Sequence, residues 1–193
     1  MIAVFDYGAG NLRSVQNALA EVGCEYKLVN DAAGLLSATD IILPGVGHFG
    51  QMMHALDSLG VRQVLCDRIA DNVPFLGICL GMKALFEGSE EAPGVRGLGL
   101  LPGIVRRFPP DLRVPHMGWN QLEDVTVRPP CPGPFVYFAH SFYVPENELA
   151  CEVCTYGVRF TASLQNANVF GVQYHPEKSG AAGLKVIRGF VAC

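Results

Sequence analysis

No stretch of this chain is apolar for long enough to cross a membrane. The longest uncharged runs, 129–145 and 160–176, fall short of the ~18 apolar residues a spanning helix needs. Prolines interrupt the first, and the second carries two glutamines and two asparagines. The N-terminus M-I-A-V-F-D lacks the cationic start and cleavage site of a signal peptide, so a cytoplasmic protein is expected. Charge is scarce too. Only 17% of residues are charged, the net charge is −4 and no basic stripe is present, which argues against a nucleic-acid partner. The five histidines show no H-x-x-x-H spacing, and no metal site or cofactor is implied. The seven cysteines (Cys24, Cys66, Cys79, Cys131, Cys151, Cys154 and Cys193) are odd in number and irregularly spaced, unlike a disulfide framework. Cys151 and Cys154 form a C-x-x-C, but within a strand-like run their side chains point to opposite faces and share neither a metal nor a disulfide easily.

The 193 residues are half hydrophobic, enough for one domain, 1–193, with a substantial core. Residues 2–5 read as a strand buried on both faces. Residues 12–22 carry apolar positions at helical spacing and end at Gly23. Strands are expected at 24–29, 40–44 and 73–78, and helices at 48–59 and 61–70. After about residue 98 the pattern changes to strands at 98–105, 121–127, 135–140, 151–156, 158–164 and 168–174, with P-P-C-P-G-P (129–134) as a rigid connector and a helix at 181–190. The expected fold is α/β: an open, mostly parallel sheet flanked by helices, with additional antiparallel strands.

G-I-C-L-G (77–81) has the form G-x-nucleophile-x-G. A tight strand-to-helix turn of this kind projects the side chain above the sheet edge, and its glycines permit close approach. A helix over 80–87 favours thiolate at Cys79, and its first N–H, that of Leu80, is free for an oxyanion. A buried small hydrophobe is the plainer reading of the cysteine. G-V-Q-Y-H-P-E-K (171–178) brings His175 to a strand end, with Glu177 on the same side of an extended chain, placed to orient the imidazole. His48, His54, His116 and His140 have no carboxylate at that spacing. P-G-V-G-H-F-G (44–50) follows a buried strand, and its glycines let N–H groups face the crevice. D-Y-G-A-G-N (6–11) does not complete a dinucleotide fingerprint, because Arg13 takes the third glycine position. The order nucleophile, histidine, acid differs from that of the α/β-hydrolases.

G-I-C-L-G-M, P-G-V-G, H-S-F and Y-H-P-E together resemble the class I (triad) glutamine amidotransferases. Y-G-A-G-N-L-R-S-V, L-P-G-V-G-H-F, L-F-E-G-S-E-E, V-P-H-M-G-W-N, F-A-H-S-F-Y and G-V-Q-Y-H-P-E-K-S-G are similar, more narrowly, to the glutaminase subunit of imidazole glycerol phosphate synthase. The resemblance implies Cys79 as nucleophile, His175 as base and Glu177 as the acid that orients it. It implies an oxyanion hole from the backbone of Val46, after a peptide flip, and of Leu80. Glutamine would be held at Gly47, Lys83, Glu91, His140, Ser141 and Phe142. Asn11, Arg13, Trp119, Asn120 and Lys178 would lie at or near the interface with a (β/α)8-barrel cyclase, in a heterodimer that passes ammonia to the barrel. There it yields imidazole glycerol phosphate and the purine precursor AICAR in histidine biosynthesis.

Two positions depart from that pattern: Lys83 stands where glutamine is usual, and Phe142 where tyrosine is common. An ammonium at position 83, one helical turn from the nucleophile, lowers the thiol pKa or competes for Glu91; alternatively it points away. The residues leave open a glutaminase serving another synthase (pyridoxal phosphate or sugar-modifying), a scaffold that only regulates a barrel partner, and a cysteine peptidase or esterase.

Overall fold

β1 (Ile2–Phe5) buries all four side chains, Ala3 and Phe5 into one core cluster and Ile2 and Val4 into another. Burial on both faces is what covered parallel strands require. The computed structural model describes residues 1–9, 11–127 and 130–192. Pro129 of the expected connector, Gly10 of the D-Y-G-A-G-N segment and Cys193 therefore lie outside the described residues.

The chain continues through α1 (Leu12–Glu21), β2 (Tyr26–Val29), α2 (Ala32–Leu36), β3 (Asp40–Gly45), α3 (Phe49–Ser58), α4 (Arg62–Ala70), β4 (Phe75–Cys79) and α5 (Leu80–Ala84). Then come β5 (Phe86–Ser89), β6 (Leu101–Arg107), β7 (His116–Asp124), β8 (Cys131–His140), β9 (Phe142–Tyr143), β10 (Ala150–Tyr156), β11 (Val158–Asn166) and β12 (Val169–Val172). A 3-10 turn (Pro176–Lys178) and α6 (Gly180–Val191) complete it. The main sheet has nine strands in the order β2-β1-β3-β4-β12-β11-β10-β7-β8. Its first five strands are parallel and the remaining pairings antiparallel, so the expected architecture is present. β5, β6 and β9 form a second, three-stranded sheet. Val15, Leu19, Ile187 and Phe190 cover one face of the main sheet from α1 and α6. Leu35, Met52, Leu56, Leu65 and Ile69 cover the other from α2, α3 and α4.

Several expectations are corrected. The helix over 80–87 ends at Ala84, because Phe86–Ser89 pairs with β6 instead. Residues 131–134 belong to β8, not to a connector; β8 is the edge of the sheet, where proline's missing N–H faces no partner strand. β7 starts at His116, not at 121, and runs through Gly118 at φ +134°. α2 was not anticipated; the Asp31 side chain caps it by accepting from the Gly34 N–H at 2.8 Å.

β3, β4 and β12 lie side by side with Gly45 in register with Cys79 and Ile78 with Val172. The segments leaving the carboxyl ends of these three strands converge on one crevice, the usual place for a site in an open parallel sheet.

Candidate active site

Cys79 ends β4 at φ +53° and ψ −99°, a left-handed conformation costly for a residue with a Cβ. The flanking glycines make this turn sterically feasible. A Cβ on Gly77 would stand 2.7 Å from the Gly81 backbone, and one on Gly81 would overlap the Leu43 carbonyl. The two positions let α5 close directly onto β3 and β4. Leu80 opens α5, so its N–H has no intrahelical partner.

The sulfur lies in a buried residue, 3% exposed. Burial pushes the Cys79 thiol up, but the hydrogen bond and charge of His175 and the ammonium of Lys83 outweigh it, and the net shift is downward. His175 follows β12. Burial disfavours its protonated form, yet the hydrogen bonds to Cys79 and Glu177 prevail and raise its pKa to about 10. The Glu177 Oε1 accepts from His175 Nδ1 at 2.8 Å. The arrangement thus favours a thiolate at Cys79 beside a protonated His175, with Glu177 behind the imidazole. The sequence expectation that Glu177 faces His175 holds, but the route differs: Glu177 arrives through the 3-10 turn, not along an extended strand.

Such a constellation attacks an acyl carbon and then protonates the leaving group. The class I glutamine amidotransferase family model matches residues 3–192. The chain belongs to that family. Among curated proteins, the imidazole glycerol phosphate synthase subunit HisH of Methanothermobacter thermautotrophicus is 47% identical, over 99% of this chain and 98% of its own. The HisH subunit of Deinococcus radiodurans is 44% identical, over 98% and 92%. The chloroplastic imidazole glycerol phosphate synthase hisHF of Arabidopsis thaliana is 44% identical over 99% of this chain, which spans 34% of that longer protein. A solved glutamine amidotransferase matches all of this chain and 99% of its own at TM-score 0.78 and 19% identity, and supports the fold.

The amidotransferase's other expected residues fall around the crevice in different ways. Gly47 has φ +96°, and beside it the Val46 carbonyl accepts from the Tyr7 hydroxyl at 3.1 Å. The Glu91 Oε2 accepts from the Phe49 N–H at 2.9 Å, at the start of α3. Lys83 is 4% exposed, is near enough to favour the Cys79 thiolate, and forms no ion pair with Glu91. Of the readings weighed for position 83, competition for Glu91 finds no ion pair, and the charge of Lys83 acts on the Cys79 thiol. Phe142 and Ser141 are half-buried after β8.

Both ring nitrogens of His140 are occupied. Nδ1–H donates to the Phe142 carbonyl at 3.0 Å, so Nε2 accepts from His116 Nδ1–H at 3.1 Å. Burial keeps both rings neutral, with His116 lowered to about 4. His116 is itself stacked between Phe138 and Tyr156, at centroid distances of 4.8 and 4.1 Å. The pair acts as a rigid wall that fixes the 140–142 segment.

Trp119 is 57% exposed and meets Tyr137 edge-on at 6.2 Å, while the Lys178 ammonium lies 5.7 Å over the same Tyr137 ring. Asn11 and Arg13 are exposed at the start of α1, and Asn120 donates to the Thr155 carbonyl at 3.1 Å. Cys151 and Cys154 are free, and burial pushes the Cys154 thiol up to about 12.

Two residues at the site were not picked out from sequence. Tyr7 is buried, which pushes its hydroxyl pKa up to about 12, and it is the residue that holds Val46. Gln173 is fully buried with its Nε2 at 3.5 Å from the Cys79 sulfur. Its signal was present in the alternation of the strand, two residues before His175 on the same face. A cavity of about 410 Å³ lined by Asn120, Glu123, Val153 and Thr155 does not include Cys79.

Proposed function

We propose that this chain is the glutaminase subunit of an imidazole glycerol phosphate synthase, with Cys79, His175 and Glu177 as its catalytic residues. The observation that carries the reading is the buried Cys79–His175–Glu177 series at the turn between β4 and α5. The thiolate attacks the side-chain carbonyl carbon of L-glutamine. Negative charge develops on the oxygen, where the N–H of Leu80 and, after its peptide flips, that of Val46 stabilise it. His175 Nε2–H passes its proton to the departing nitrogen, the C–N bond breaks and ammonia leaves a γ-glutamyl thioester. Water, deprotonated by the now neutral His175, attacks that carbonyl, the S–C bond breaks and glutamate is released. Gly47, Lys83, Glu91, His140, Ser141 and Phe142 surround the substrate.

The ammonia is consumed by a (β/α)8-barrel cyclase docked at Asn11, Arg13, Trp119, Asn120 and Lys178. Support comes from exposure. The Trp119 ring is presented to solvent against Tyr137, over which the Lys178 ammonium lies, the sort of aromatic anchor that interfaces bury. The Arabidopsis relative, the chloroplastic imidazole glycerol phosphate synthase hisHF, devotes only 34% of its length to the matching part. The 193 residues form one amidotransferase domain, in keeping with the family match over 3–192 and a sheet that runs unbroken from β2 to β8. No helix among the described residues is long and apolar enough to cross a membrane, in accord with a cytoplasmic enzyme.

The test is glutamate release from glutamine, with the chain alone and with the cognate cyclase plus its nucleotide ligand. Strong stimulation in the mixture supports the reading. Hydrolysis indifferent to the cyclase assigns the glutaminase to another synthase. No hydrolysis in a formed complex leaves a scaffold.

A further inference from the structure

Gln173 is 0% exposed, and its two polar ends have opposite fates. Nε2 lies 3.5 Å from the Cys79 sulfur. Oε1 is enclosed and has no hydrogen-bond partner among the described residues. An enclosed carbonyl without a donor is costly, and the substrate reaches it only as the crevice opens, as it must to reach Cys79, itself 3% exposed. The amide orientation follows from chemistry: a thiolate only accepts, so the nitrogen end belongs at the sulfur. The titratable groups facing Cys79 are His175, Lys83, Glu177 and Tyr7, from the segment after β12, from α5, from the 3-10 turn and from the segment after β1. None donates to Gln173 Oε1.

We infer that Gln173 is a fourth catalytic residue: its Nε2–H donates to the Cys79 thiolate, and its Oε1 accepts an N–H of the substrate's carboxamide nitrogen. The inference rests on the glutaminase reading and adds a role at the leaving group. In the resting site the Nε2–H is a second donor to sulfur beside His175. When the sulfur bonds to carbon its charge moves to the carbonyl oxygen and this donation weakens. Oε1 then holds the nitrogen by one N–H while its lone pair turns to the His175 proton, and it releases the nitrogen as ammonia once the C–N bond has broken. Gln173 neither gains nor loses a proton.

The test is Gln173→Met, close in size but without donor or acceptor, read by three quantities. The rate of Cys79 alkylation by iodoacetamide against pH, followed on the Cys79 peptide by mass, shifts its midpoint upward and is about tenfold slower at low pH, the worth of a hydrogen bond to a charged group. Turnover of glutamine falls about tenfold or more. Turnover of the γ-methyl ester of glutamate, whose leaving group has no N–H, falls much less. An unchanged alkylation profile overturns the Nε2 role, and a parallel loss on amide and ester overturns the Oε1 role. Alkylation needs no glutamine, so failure of the glutaminase reading is seen separately, as absent hydrolysis in the unsubstituted protein. Should the variant not fold, the side-chain NH₂ resonances of Gln173 in the unsubstituted protein decide. They shift with the ionisation of Cys79 and lose that titration in Cys79→Ala, whereas resonances blind to Cys79 overturn the contact.

Discussion

The Nδ1 of His175 lies 2.8 Å from the Oε1 of Glu177, with both side chains almost wholly enclosed, at 4% and 3% exposure. Glu177 Oε2 has no hydrogen-bond partner among the described residues, where the side chain bonds to the imidazole alone. Its charge therefore acts on His175 with little screening, and this sets the pH behaviour of the site.

Folding raises the His175 pKa to about 10. A raised pKa gives stability that is fully present below the unfolded value, ~6.5, and lost as pH rises through about 10. Cys79 is shifted the other way, so its contribution is present above the ordinary thiol value and lost as pH falls through the folded value. Glu177→Gln removes the charge that holds the imidazolium. Urea midpoints measured across pH then begin their alkaline decline earlier than in the parent, and glutamine turnover falls by about 10²-fold. An identical alkaline limb in the variant contradicts this role for Glu177.

Lys83 is buried at a position where the resemblance to the family implies glutamine. Lys83→Gln restores a donor and acceptor for glutamine and removes a charge that favours thiolate. KM for glutamine falls about fivefold, the worth of one neutral hydrogen bond, and the pH midpoint of Cys79 alkylation rises. An unchanged KM together with an unchanged midpoint separates Lys83 from the site.

Tyr7 pins the Val46 carbonyl at 3.1 Å, on the segment whose peptide the proposed mechanism requires to flip to aim an N–H at the oxyanion. Tyr7→Phe removes a restraint of about 1 kcal/mol, so glutamate release without the cyclase rises about fivefold. Partner-free activity that stays level or falls shows the hydroxyl to be a structural contact only.

Gly81 admits α5 to the sheet because it has no Cβ to meet the Leu43 carbonyl. Gly81→Ala forces those backbones apart, and urea unfolding registers a loss of about 3 kcal/mol or more. A loss under 1 kcal/mol, on the order of an ordinary exposed helix substitution, means that the helix and sheet are not in direct contact.

The parts legible in the sequence were those set by local chemistry. β1 and β4 declared themselves as unbroken apolar runs, and Cys79 by the glycines needed around a strained turn. The antiparallel half was read less well, because its boundaries depend on position in the sheet: prolines at 132 and 134 look like breakers until β8 is known to be an edge. Phe86 favours helix or strand equally until β6 arrives to pair with it. Gln173 and Tyr7 escaped for a different reason. Neither has a distinctive chemistry alone, and each matters through an atom brought from another part of the chain, the sulfur of Cys79 or the carbonyl of Val46.

The central claim is that glutamine is opened by the thiolate of Cys79. Its most direct test is glutamate release by Cys79→Ala in complex with the cyclase, compared with the parent complex. The account predicts that hydrolysis is abolished while the complex still forms, since Cys79 is buried in the crevice and Trp119 and Lys178 remain exposed. Hydrolysis that persists in a purified Cys79→Ala complex would contradict it.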